Sequence, residues 1–283
     1  MKESNHIMLR GVKGLHGDSL RARDGEIGSV DEVLFDDEHW TVRYLVADTG
    51  GWLFGRKVLI STVALAAVDW EQRILNVNLT REQIENSPGV GTHEPVSRQW
   101  EADYHDYYAW PYYWGGMGLN TGLGFSGGLG LSAVGYPGAL LPSAEGDART
   151  SQEKADERAR GHQSARDRGD VHLRSTREVT SYGIAARDGH LGHVEDFIVD
   201  DETWKIRYLA VDTNNWWLGK KVLLPLDWIG QANWPDRTVT VEITRDQVRN
   251  APEWDPHMPI SRTLEDELST YYARQRMAAY APA

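Results

Sequence analysis

The sequence predicts a mainly β protein: two tandem small antiparallel β-barrels, each with a short C-terminal helical tail, joined by a flexible linker. Three observations carry this reading. The chain aligns with itself at an offset of 164 residues, with 17 identities over the 37 positions that match Gly25–Ser61 to Gly189–Pro225. One long period present twice means two copies of a domain, since a solenoid needs shorter and more numerous units. Each copy also strings together short runs of β-branched and aromatic residues divided by turn signals. Finally, "TREQIENSP" and "TRDQVRNAP" each place Gln three residues after Thr, a capping box that starts a short helix ahead of a proline.

The elements follow in chain order. Asp24-Gly25 and Asp188-Gly189 mark hairpin turns, and the acidic runs Asp36-Asp37-Glu38 and Asp200-Asp201-Glu202 read as turns rather than cation sites, because they lack spaced oxygen ligands. "TVRYLVAD" and "KIRYLAVD" are strands, as are "KVLIS" and "RILNVNL" with their counterparts "KVLLP" and "RTVTVEI". Between them, Gly50-Gly51 and Asn214-Asn215 both tolerate positive φ, as a tight hairpin requires. "DTGGWLFGRKVLI" and "DTNNWWLGKKVLL" are therefore expected to close each barrel, with Trp52 and Trp216 as aromatic plugs. Ser97 and Ser261 are the expected N-caps of a second helix in each copy.

This gives a first domain over residues 1–110, a linker over 111–173 and a second domain over 174–283. The linker opens with 34 uncharged, glycine-rich residues, Pro111–Ala144, whose backbone entropy opposes a stable helix or strand. Its Gly122-Leu-Gly124-Phe-Ser-Gly127 fits the letters of a dinucleotide fingerprint without the strand and helix such a site needs. A polar, nearly charge-balanced tether completes it.

Composition excludes several functions. A formal charge of -12 disfavours a phosphate-neutralising surface, and with it nucleic acid as a partner. The absence of cysteine removes disulfides, thiolate metal sites and cysteine nucleophiles, and fits a reducing compartment. "MKESNHIMLRGVKG" has no apolar run of signal-peptide length, which points to the cytoplasm.

The motifs "GEIGSVDEVLFDDEHWTVRYLVADTGGWLFGRKVLIS" and "GHLGHVEDFIVDDETWKIRYLAVDTNNWWLGKKVLLP", with the tails that follow them, resemble the PRC-barrel family. That module is shared by the cytoplasmic part of the photosynthetic reaction-centre H subunit and the C-terminal half of the ribosome-maturation factor RimM. The resemblance implies a docking or assembly surface rather than catalysis, with a protein or a second copy of the chain as partner. It also keeps open a peripheral membrane adaptor of a membrane complex, working through the uncharged linker. Neither an N-terminal membrane helix nor a RimM-like leading domain is expected, and no functional residue carries across by motif.

No catalytic residue or cofactor is expected. No metal site is expected either: His190, His193 and Glu195 could offer ligands, but a complete site would need help from elsewhere, and the stretch reads as a solvated hairpin. His93 and His257 occupy matched places before the second helix and read as packing residues. The partner-binding candidates are Trp52, Lys57, Trp216, Trp217 and Lys221 at the hairpin, and Tyr107, Tyr108, Trp110, Tyr112, Tyr113 and Trp114 in the first tail. Tyr and Trp are the side chains that dominate interface hot spots.

Overall fold

A run of alternating apolar residues buries one face only if its neighbours reverse direction at the right places, and in this chain glycine and aspartate set those reversals. The computed structural model describes residues 8–53, 55–89, 96–114, 172–213 and 220–279. Residues 115–171 of the expected linker, with Asn214, Asn215, Trp216, Trp217 and His93, lie outside the described residues, whereas Pro111–Trp114 are described and pack with the first domain. The chain forms two compact units, one of Met1–Leu15, Trp40–Val42 and Ser175–Ala283, the other of His16–His39 and Arg43–Arg174.

Most of the first copy folds in the unit containing His16–His39. Its strands are β2 (Ser19–Ala22), β3 (Gly25–Asp36), β4 (Thr41–Asp48), β5 (Lys57–Ser61), β6 (Leu65–Asp69) and β7 (Ile74–Val77), in the sheet order β5-β4-β3-β2-β7-β6. A further strand, β8 (Leu173–Ser175), pairs with β3. Leu20, Phe35, Leu45, Ile60, Leu65 and Leu75 are fully buried between its faces. The β2–β3 hairpin turns at Arg23-Asp24, and the Asp24 carboxylate accepts the backbone N–H of Arg81 at 2.8 Å.

That bond fixes the start of α1 (Arg81–Glu85), where Thr80 and Gln83 form both bonds of the predicted capping box. A second helix, α2 (Arg98–Tyr108), starts at the expected Ser97 cap.

The other unit repeats this plan with β9 (Gly183–Ala186), β10 (Gly189–Asp200), β11 (Ile206–Asp212), β12 (Lys221–Pro225), β13 (Ile229–Asn233) and β14 (Thr238–Val241). Its sheet order is β12-β11-β10-β9-β14-β13, and β1 (Leu9–Gly11), from the N-terminal end of the chain, pairs with β10. Its helices are α3 (Thr176–Val179), α4 (Arg245–Arg249), which has the same capping box, and the longer α5 (Arg262–Ala279).

The acidic runs are turns, as expected: Asp36 accepts from the N–H groups of Glu38 and His39, and Asp200 from those of Glu202 and Thr203. Trp40 and Trp204 close these turns with φ of 51° and 59°.

Three details differ from the sequence reading. Each sheet is an open barrel, its end strands unpaired with each other among the described residues. The pairings β2–β7 and β9–β14 are parallel. The cause is the 3-10 turn after β5 and after β12, at Thr62–Ala64 and Leu226–Trp228, which carries the chain onward without a hairpin reversal. The third difference is the β4–β5 connection, a wide loop over residues 49–56 rather than a tight turn. Only Gly50 of the Gly50-Gly51 pair has positive φ, and Thr49 closes the loop by donating to the Arg56 carbonyl at 2.7 Å. Leu53 is buried there while Trp52 stays at the rim, so leucine is the plug.

The repeated glycines Gly28 and Gly192 have one physical cause. A Cβ on Gly28 would stand 1.9 Å from the Asp48 carbonyl oxygen, and one on Gly192 would stand 2.1 Å from that of Asp212. Their φ values, 145° and 150°, also lie in a region that favours glycine.

Candidate functional site

Helix α2 carries charge on its buried face. Arg98, Glu101 and His105, spaced three and four apart, share that face with Ala102 and Tyr104, and all five are buried. The helix stops because Ala109 adopts the left-handed conformation, φ 56° and ψ 36°, and Pro111 has no N–H with which to continue it. Trp110 donates its N–H back to the His105 carbonyl, and the tail Pro111–Trp114 then folds over α2.

The contacts of this tail are specific. Arg98 forms a buried ion pair with Glu101 at 3.0 Å and donates to the Tyr113 hydroxyl at 2.8 Å. Tyr113 in turn donates to Glu101 Oε1. Tyr44, reaching in from β4, lies 3.1 Å from Glu101 Oε1 and 3.0 Å from His105 Nε2. His105 Nδ1 meets the Pro111 carbonyl at 2.9 Å, and the Tyr112 hydroxyl donates to Asp106 at 2.6 Å. The Arg98 guanidinium lies 4.7 Å from the centre of the Trp114 ring, and Arg43 lies 3.8 Å from that of Tyr113. The Nε and second terminal nitrogen of Arg98 have no hydrogen-bond partner among the described residues, so the rings are their main contact.

Burial dominates the electrostatics. It pushes the Glu101 carboxyl up to about 7, against the pull of Arg98, Tyr113 and Tyr44 toward the charged form. It pushes His105 down to about 4, helped by Arg43 and Arg98 and only partly offset by the Pro111 carbonyl. Asp36 behaves differently: burial raises it, but Arg43 and His39 outweigh that and hold it below the ordinary carboxylate value.

The aromatic candidates divide into two sets. Trp110, Tyr112 and Trp114 are 4%, 4% and 3% exposed, so their contact area is spent within the fold. Tyr107 is 42% exposed and packs against the half-buried Tyr108, while Trp100 and Tyr113 are also half-buried. Both Tyr107 and Tyr108 donate to the Gln83 carbonyl, while Trp100 stacks on Tyr104 and Tyr108 on Trp110. Arg98, Glu101, His105 and Tyr44 were not singled out from sequence. Three ionisable residues on the apolar side of an aromatic helix were the available signal.

The hairpin candidates are held by local partners. Trp52 lies beneath the Arg81 guanidinium at 4.3 Å, and Lys57 pairs with Asp31 at 2.6 Å. Lys221 pairs with Glu195 at 3.1 Å, and Lys13 reaches the same carboxylate oxygen at 3.0 Å. The structure does bring His193 and Glu195 together with Asp212, their ligand atoms within 4.8 Å of one another. His190 is exposed outside that cluster, its ring against Gly183. A metal at this point would have to displace two ammonium groups that already hold Glu195 below its ordinary pKa. The second acidic cluster, Asp36 with Glu38 and His39, is engaged by Arg43 and by turn N–H groups.

A family model described as PRC-barrel domain matches residues 15–84 and, separately, residues 184–248. The chain carries two PRC-barrel domains. An uncharacterized protein from Deinococcus radiodurans is 32% identical over 89 residues, a stretch that covers 31% of this chain and 31% of that relative.

The matched segments end within α1 and α4, so α2, its aromatic tail and α5 lie outside the PRC-barrel matches. The two PRC-barrel domains also differ there. The counterpart of His105 is Ser269, that of Tyr104 is Leu268, and Gln275 replaces Pro111, so α5 runs on to Ala279 without folding back. Tyr272 donates to the Leu223 carbonyl where Tyr104 donates to Leu59, one helical turn further along. Tyr208 and Glu265, the counterparts of Tyr44 and Glu101, remain half-buried. Among the described residues, no helix is long and apolar enough to cross a membrane.

Proposed function

We propose that this tandem PRC-barrel protein is a non-enzymatic docking or assembly module, and that α2 of the first domain carries the contact surface. The supporting observation is the aromatic rim on that helix: Tyr107 is 42% exposed against the half-buried Tyr108, and Trp100 on the same helix is half-buried. Rigid, amphipathic side chains at the edge of a packed cluster supply contact area at low entropic cost. The domain duplication adds a second, differently dressed module on the same chain, which suits multivalent engagement. The partner is a protein surface or a second copy of this chain.

The test compares full-length protein with Tyr107→Ala as bait, alongside sedimentation of each for self-association. A partner, or a dimer, that is present with the wild type and lost with the variant supports the reading. Equal recovery and equal sedimentation for the two proteins would count against it.

A further inference from the structure

We propose that Pro111–Trp114 is a proton-operated latch, seated on α2 only while the buried Glu101–Tyr44–His105 chain holds one proton between its carboxylate and its imidazole. The number of hydrogens in the chain sets this condition. Three links run in series: Glu101 Oε1 to Tyr44 at 3.1 Å, Tyr44 to His105 Nε2 at 3.0 Å, and His105 Nδ1 to the Pro111 carbonyl at 2.9 Å. The carbonyl only accepts, a neutral imidazole donates once, and a tyrosine hydroxyl donates once.

With Glu101 protonated, every link has a hydrogen: the carboxyl donates to Tyr44, Tyr44 to Nε2, and Nδ1 to Pro111. Moving that proton onto His105 reverses the first two bonds and still fills all three. With the proton gone, two hydrogens remain for three links. Either Glu101 faces the Tyr44 oxygen without a donor, or Nδ1 faces the Pro111 carbonyl lone pair to lone pair. A buried link without its hydrogen is costly, and of the three the link to Pro111 separates by moving the tail, against the hold of the Tyr113 hydroxyl on Glu101.

The surroundings make the proton removable near neutrality. Arg98 and Tyr113 stabilise the Glu101 carboxylate, Arg43 and Arg98 disfavour a charged His105, and Asp36, Asp106 and Tyr104 complete the ionisable groups around the pair. Burial sets against this and leaves Glu101 titrating at about 7. Opening would uncover Tyr112 and Trp114, now 4% and 3% exposed and packed against His105 of the helix that carries Tyr107 and Tyr108. The use of the latch in partner binding rests on the docking reading above; its operation does not.

The test is hydrogen exchange of the full chain, read at the amides of Tyr112, Tyr113 and Trp114 and corrected for intrinsic rate, from about pH 6 to about pH 8.5. Wild-type protection should fall by about tenfold across that range. Glu101→Gln, whose amide donates to Tyr44 at every pH, should abolish the fall, and Glu265→Gln in the second domain should leave it intact. Tyr44→Phe, which leaves the single imidazole hydrogen free to stay on Nδ1, should keep the tail protected at every pH and so also abolish the fall. Flat wild-type protection overturns the latch without need of any variant, and so does a fall that persists in Glu101→Gln. No partner enters these measurements, so loss of the latch and loss of the docking reading are separate results.

Discussion

Replacing Glu101 by Gln and His105 by Asn should tilt the pH dependence of stability in opposite directions. In the folded chain Glu101 titrates at about 7 against an ordinary value of 4.5, so between these pH values the native state keeps a proton that the unfolded chain has lost. Stability from this group therefore falls as pH rises from 4.5 to about 7. His105 titrates at about 4 against 6.5, so the unfolded chain keeps a proton that the native state has shed, and stability rises from about pH 4 to 6.5. In the wild type the two slopes oppose each other, and the pair is nearly silent across the middle of that range.

Each pH unit of displacement is worth about 1.4 kcal/mol. Relative to wild type, Glu101→Gln should gain about 3 kcal/mol as pH rises through the Glu101 window, and His105→Asn should lose about 3 kcal/mol through the His105 window. Urea unfolding of the full chain, followed by tryptophan fluorescence at half-unit pH steps, gives both differences. Other titrating groups, such as Asp196, which burial raises to about 6, are common to all three proteins and cancel. Two variants that drift in the same direction, or do not drift, would refute the assignment of one shared buried proton.

Three further outcomes follow from other parts of the fold. Gly28→Ala drives a methyl group to 1.9 Å from the Asp48 carbonyl at a positive φ, and should lower stability by about 3 kcal/mol in thermal melts, with Gly192→Ala doing the same in the second domain. Ala109→Gly relieves a left-handed alanine at the end of α2, and the gain, reduced by the freer unfolded chain, should be about 0.5 kcal/mol in urea midpoints. Removing residues 8–15 takes away three buried side chains, Leu9, Val12 and Leu15, together with the backbone bonds of β1. Calorimetry should show a loss of about 5 kcal/mol, in the transition of the unit that contains β10.

Much of the fold was legible because its signals are local. Thr80 with Gln83, Ser97, Asp24-Gly25 and the DDE runs each dictate conformation within three or four residues, and all act as their chemistry requires. The width of the β4–β5 loop was not legible, because Gly50-Gly51 fits a two-residue turn while the actual closure is the remote Thr49–Arg56 bond. The parallel pairings depend on two 3-10 turns with no distinctive sequence. At the site, aromatic residues advertised the tail, but which were surface and which were core depended on Pro111 turning the chain back onto α2. An Arg98–Glu101 spacing of i,i+3 is common on helix surfaces, and what buries this pair is long-range cover from Tyr44, Tyr113 and Trp114.

The pairing of β1 with β10 sets a clock on the birth of the protein. Leu9 sits opposite Asp200, so β1, once synthesised, waits for β10 until nearly two hundred further residues have followed it. At roughly 5–20 residues per second that wait is on the order of ten to forty seconds. Through that interval Leu9, Val12 and Leu15 have no core to enter, while most of the sheet from β2 to β7 can already assemble. A nascent chain stalled before β10 would thus carry a finished-looking domain with a loose apolar leader, a state that chaperones would meet and the completed molecule would not show.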